Sequence, residues 1–126
     1  MKILFAIAAG GALGALFRYG LSVILMKQQG SFPLGTLVVN VLGSFLIGAV
    51  WVLLERLSGA PTLRAFAVVG LLGAFTTFSA YSLEVLMLGR LHDLRMALLY
   101  VAASNGLCIA AVAAGFLLAH ALSASL

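Results

Sequence analysis

Apolar residues run through this chain in four long blocks, covering residues 3–26, 34–54, 63–88 and 96–119. Short polar stretches at 27–33, 55–61 and 89–95 interrupt them. A helix needs about 20 mainly apolar residues to cross the hydrocarbon core of a bilayer, and each block reaches that length. In a chain this short, apolar residues at this density must face lipid as well as each other. The pattern therefore predicts an all-α integral membrane protein of four transmembrane helices. Residues 1–126 form a single transmembrane domain with no room for a soluble one.

Composition strengthens this reading. Of the 126 residues, 64% are hydrophobic and 8% charged, against about 45–50% and about 25% in a soluble domain. The seven Lys and Arg residues exceed the three acidic ones, but they stand singly between apolar runs and form no basic patch for nucleic acid. The single Cys108 reads as a small packing residue. Ala6-Ile7-Ala8 resembles a signal-peptide cleavage site, but only Ile3-Leu4-Phe5 precede it as a hydrophobic region, well short of the usual ~7–15 residues. The first block is therefore read as a retained helix.

Orientation follows from Lys and Arg on the two sides of the membrane. One side carries Lys2, Arg56 and Arg64, and the other carries Lys27, Arg90 and Arg95; Arg18 lies within the first span. With the sides in balance, the chain can insert both ways and pair as an antiparallel homodimer about a two-fold axis in the membrane plane. The alternative is that the charges balance by chance and folding fixes one orientation.

Small and polar residues suggest which faces meet protein. Gly10 and Gly14, continued by Arg18 and Ser22, recur every four residues along one helical stripe. Asn40, Ser44 and Gly48 repeat the spacing in the second span, as do Tyr100, Ser104 and Cys108 in the fourth. Gly10, Gly14 and Gly48 are read as helix-packing positions. The Asn40 amide needs a partner at membrane depth, so it either joins helices or lines a path. Arg18 and Glu84 are read as structural polar residues, Arg18 snorkelling or bonding carbonyls and Glu84 reaching the interface.

The third span is unusual: residues 70–82 place two glycines, Gly70 and Gly73, and four hydroxyl residues, Thr76, Thr77, Ser79 and Ser82, where lipid must be crossed. Helix propensity is poor there. Two structures fit: a break whose freed carbonyls bind ions, or a continuous helix whose hydroxyls bond back to the preceding turn.

The run from Gly73 to Ser82 resembles the G-x-x-T-T-F-S-T-F-S signature of the Fluc/CrcB fluoride channels. Gly10-Gly11, Gly14-Ala15 and Arg18-Tyr19 in the first span, Gly35 to Asn40 opening the second, and Ser104 in the fourth fit as well, so the resemblance covers the whole chain. Ala80 stands where the family usually has Thr, and Tyr81 where it has a second Phe. The resemblance implies a dual-topology antiparallel homodimer in a bacterial inner membrane, with a break in the third helix and two pores lined by both chains. These pores would export fluoride passively from the cytoplasm. It further implies a structural, non-transported sodium ion on the backbone carbonyls of Gly73 and Thr76. Asn40, Thr77, Phe78, Ser79, Tyr81 and Ser104 are the candidate pore residues, offering amide, hydroxyl and ring-edge donors to a strongly hydrated anion. Tyr81→Phe restores the family's aromatic and is expected to conduct.

The implied partners are a second copy, membrane lipid and fluoride, with no nucleic acid. No nucleotide-binding loop or catalytic constellation marks an enzyme. A proton-coupled multidrug antiporter would need a buried carboxylate in its substrate path, where the first span has Arg18 instead. A structural membrane subunit would explain the glycines but would not require Asn40 or the Thr-Thr-Phe-Ser run.

Overall fold

The structure is a computed structural model that describes residues 1–26, 32–56, 60–91 and 93–124. Lys27 of the charge count and parts of the three polar stretches (27–31, 57–59 and 92) lie outside the described residues. The described residues form α1 (Lys2–Met26), α2 (Leu34–Arg56), a composite third span and α6 (Leu94–Ala124). The third span consists of α3 (Pro61–Arg64), a π-helical segment (Ala65–Leu72), α4 (Gly73–Phe75) and α5 (Phe78–Leu91). Lys2–Leu25, Leu34–Arg56, Pro61–Leu91 and Leu94–Ala124 are each long and apolar enough to cross a membrane.

The helices extend past the apolar blocks, and the polar residues at their ends explain how. Pro61 opens α3, at a position where its missing N–H costs nothing. The Asp93 carboxylate accepts from the Arg95 N–H at 3.0 Å, capping α6 two residues before the apolar block begins. At the other end of α6, Arg56 Nη1 donates to the Ser123 carbonyl at 2.5 Å, satisfying one of the acceptors that a helix end leaves open. Trp51 donates to Glu55 at 2.8 Å while Arg64 lies 4.4 Å above its ring. Arg56 and Arg64 thus share one end of the molecule.

Two glycine seams bring the spans together. α1 lies along the π-helical segment and α2 along α6. A Cβ on Gly10 would meet the Phe66 carbonyl and, at 2.9 Å, the Leu71 nitrogen. On Gly14 it would meet the Leu71 carbonyl and the Phe75 nitrogen at 3.0 Å, and on Gly70 the Ile7 carbonyl at 2.7 Å. In the second seam, Gly48 lies against Val112 and Phe116, and Gly115 against Phe45 and Ala49. All of these neighbours are backbone atoms, so the helices meet at a distance only glycine permits. A π-helix is usually a single-turn bulge, and here eight residues adopt it beneath α1.

The core is small. Val39 and Tyr100 are fully buried, and Tyr81, Leu88, Ala97 and Tyr100 form a cluster joined by Phe32, Leu37, Val85 and Val101. Large apolar side chains such as Leu16, Phe17, Leu99 and Leu117 point outward, as lipid requires.

Candidate functional site

The centre of the third span is organised around Asn40. The helix of α4 ends at Phe75, Thr76 is extended with φ −80° and ψ 157°, and α5 begins at Phe78. Asn40, on the facing turn of α2, grips this junction from both directions. Its Oδ1 accepts the Thr77 N–H at 2.8 Å, and its Nδ2 donates to the Thr77 carbonyl at 3.0 Å. Gly43, one turn on, makes room for the approach: a Cβ there would strike the Thr76 methyl and come within 3.2 Å of the Phe75 ring.

The hydroxyls divide the remaining work. Thr76 Oγ1 donates to the Leu72 carbonyl at 3.1 Å, which also takes the Thr76 N–H, and Ser82 Oγ donates to the Phe78 carbonyl at 2.9 Å. Both are bonds back to the preceding turn. Thr77 is the N-cap of α5, its Oγ1 accepting the Ala80 N–H at 3.2 Å with Ser79 Oγ 3.3 Å away. Back-bonding and a helix end thus occur together.

These residues surround a cavity of about 350 Å³ that Asn40, Gly73, Thr76, Thr77, Phe78, Tyr81 and Ser104 help to line. Ser79 lies beside it through Thr77. Ser104 is buried, and its hydroxyl has no hydrogen-bond partner among the described residues. Asn40 has one further amide N–H beyond the one given to Thr77. The Phe78 and Tyr81 rings lie 5.3 Å apart, Tyr81 and Tyr100 5.4 Å apart, and Phe32 meets Tyr100 edge-on at 5.4 Å. This row of rings leads from the cavity toward Glu84.

Glu84 bridges two hydroxyls, accepting from Thr36 at 2.6 Å and from Tyr100 at 2.7 Å. Gly10, Gly14 and Gly48 stand apart from the cavity, in the seams. Arg18 is half-buried, and its Nε has no partner among the described residues. Thr36, Gly43, Tyr100 and Asn105 are among the residues at the site that the sequence pattern did not single out as site residues. Thr36 and Asn40 are four apart on one helix, and Tyr100 belongs to the stripe containing Ser104, so both had a signal in their spacing. Asn105 had only its amide, at membrane depth.

Residues 5–116 match the model of the family described as CrcB-like protein, Camphor Resistance (CrcB). The chain belongs to the CrcB family. The match runs from α1 into α6 and takes in the junction held by Asn40. Among CrcB relatives, a protein of Saccharophagus degradans named fluoride-specific ion channel FluC is 47% identical over 118 residues, covering 93% of this chain and 89% of its own. A protein of the same name from Shewanella halifaxensis is 46% identical over 115 residues, covering 90% and 92%. Another from Parabacteroides distasonis is 44% identical over 115 residues, covering 90% of each. With four helices able to cross a membrane, the chain is a multi-pass membrane protein.

Proposed function

We propose that this chain is a fluoride-specific channel, working as an antiparallel homodimer in a bacterial inner membrane and letting fluoride leave the cytoplasm passively. The observation that carries the reading is a polar junction in mid-span, lined by donors, in a chain whose relatives are named for fluoride. Fluoride is small and strongly hydrated, so a selective path must replace its water with closely spaced donors. The second N–H of Asn40, the unpartnered hydroxyl of Ser104 and the positive ring edges of Phe78 and Tyr81 supply that chemistry. Thr77 and Ser79 hold the start of α5 and so fix where Phe78 and Tyr81 stand. An inside-negative potential worth about 2.3 kcal/mol per charge per 100 mV drives the anion outward.

The homodimer is supported by what one chain leaves uncovered. Non-helical backbone at membrane depth is tolerated only where protein covers it or a cavity adjoins it, yet Thr76 and Thr77 are only half-buried in the single chain, and Gly73, Phe78 and Ser79 on either side of them are exposed. A second copy covers this face, and the balanced Lys and Arg count allows that copy to be inverted.

A structural sodium ion fits the same junction. The Thr77 N–H that would close a helical turn on the Gly73 carbonyl goes to Asn40, and the Ala80 N–H that would serve Thr76 goes to Thr77 Oγ1. The carbonyls of Gly73 and Thr76 are therefore among those at the junction that lose their helical donors, and oxygen ligands suit a hard cation. Such an ion would join the subunits and add positive potential beside the anion path.

Liposomes containing only this protein should release fluoride down its gradient, as followed with a fluoride electrode. The release should fall when sodium is replaced by N-methylglucamine. No fluoride release above empty liposomes would overturn the channel reading. Equal flux and dimer stability without sodium would remove the ion from it.

A further inference from the structure

Tyr81 carries a hydroxyl at a position where the resemblance has a phenylalanine ring, and a neighbouring amide fixes how that hydroxyl is used. Asn105 Nδ2 donates both to the Val101 carbonyl, at 2.8 Å, and to Tyr81 Oη, at 3.0 Å. A carbonyl can only accept, so Val101, one helical turn earlier on α6, determines which end of the amide is nitrogen. That same nitrogen meets Tyr81. The Tyr81 oxygen is therefore the acceptor, and its own proton is not used in this contact.

The direction left for that proton is the cavity. Tyr81 is only 8% exposed, and both it and Asn105 line the space bounded by Asn40, Phe78 and Ser104. Asn105 provides the one hydrogen bond of the Tyr81 hydroxyl among the described residues. A buried O–H with no acceptor is costly, and an anion in the cavity would supply one.

We propose that Tyr81 presents its phenolic O–H to the fluoride path as a donor additional to its ring edge, and that Asn105 is the positioning residue that keeps the proton turned that way. The inference rests on reading the cavity as a fluoride path. Without the Asn105 donor, the hydroxyl is free to rotate and to spend its proton on a protein acceptor.

Fluoride efflux from liposomes tests the pair, with Tyr81→Phe, Asn105→Leu and the double variant beside the native chain. Both replacements conserve size. Each single variant should still conduct, slower by about 2- to 10-fold, as suits the loss of one net hydrogen bond. The double variant should be no slower than the slower single one, because both changes remove the same donor. A second readout comes from tyrosine labelled with carbon-13 at Cζ, with the Tyr81 resonance assigned by its loss in Tyr81→Phe. It should shift on fluoride addition in the native chain and shift less in Asn105→Leu, an effect that a purely packing role would not produce. A native chain that passes no fluoride overturns the channel reading and this inference with it. A conducting native chain with unchanged Tyr81→Phe flux, with losses that multiply in the double variant, or with a Tyr81 resonance indifferent to fluoride overturns this inference alone.

Discussion

The two halves of the third span differ in what covers them. Before the junction, Ala65, Leu72 and Phe75 are buried, and α1 lies so close that Gly10, Gly14 and Gly70 meet backbone. Beyond it, Phe78 is 76% exposed, and Ser79 and Ser82 are exposed as well. The first half is anchored on α1 within one chain, with Leu63, Val69 and Gly73 left exposed on its far side. The second half keeps its polar groups in order through Asn40 and Thr77 while leaving its outer face open. One span therefore combines a rigid support with an unfinished surface, and the support sets the position at which the unfinished surface is offered.

The support is the easier of the two to break. Gly14→Leu would force a side chain into the Leu71 carbonyl and the Phe75 nitrogen. Overpacking of a core costs about 1–3 kcal/mol, and backbone atoms cannot rotate aside as a side chain does. The variant should lose most of its monodisperse protein on size-exclusion chromatography in detergent. A native-like yield and elution would mean that α1 does not need this contact.

The junction should instead fail in function while the fold survives. Asn40→Asp keeps the shape and can still accept the Thr77 N–H, but it cannot donate to the Thr77 carbonyl and adds a negative charge beside an anion path. An acceptor left without its donor costs about 1–3 kcal/mol, which alone corresponds to a loss of roughly fivefold or more. Fluoride efflux should drop by at least that factor, with the elution profile unchanged. Undiminished efflux would leave Asn40 as a joint between helices and nothing more.

The same contrast governs what the sequence reveals. The four spans are legible because each must be apolar over a bilayer's thickness, whatever its neighbours. Their ends are less so: α6 runs to Ala124 rather than 119 where the Arg56 contact serves its last turn. The Gly-rich and hydroxyl-rich run at 70–82 marks the junction, because such residues are poor helix formers wherever they stand. The π-helix of Ala65–Leu72 is invisible by comparison, since its residues are uniformly apolar apart from Gly70 and its neighbour α1 is distant in sequence. Glu84 shows the same limit. Its position suggests reach toward the interface, but two hydroxyls, from Thr36 48 residues away and Tyr100 16 away, hold it between them. Spacing along one helix reports a shared face, whereas pairing between helices depends on how they are rotated against each other.

The smallest expected effect sharpens the comparison most finely, because it separates adjacent glycines on α1. Gly10 is buried against Phe66 and Leu71, whereas a Cβ on Gly11 would meet nothing within 4 Å. Glycine in a helix interior is destabilising by roughly 0.5–1 kcal/mol relative to alanine, since it loses more backbone freedom on folding. Gly11→Ala should therefore raise thermal stability slightly, while Gly10→Ala should lower it, as read by a thermal shift of the purified protein in one detergent. Opposite signs one residue apart would show that close helix approach, and not glycine content, sets the stability of the first seam. A loss of stability in Gly11→Ala would point to a neighbour on that side of α1 that the single chain does not supply, with a second copy the first candidate.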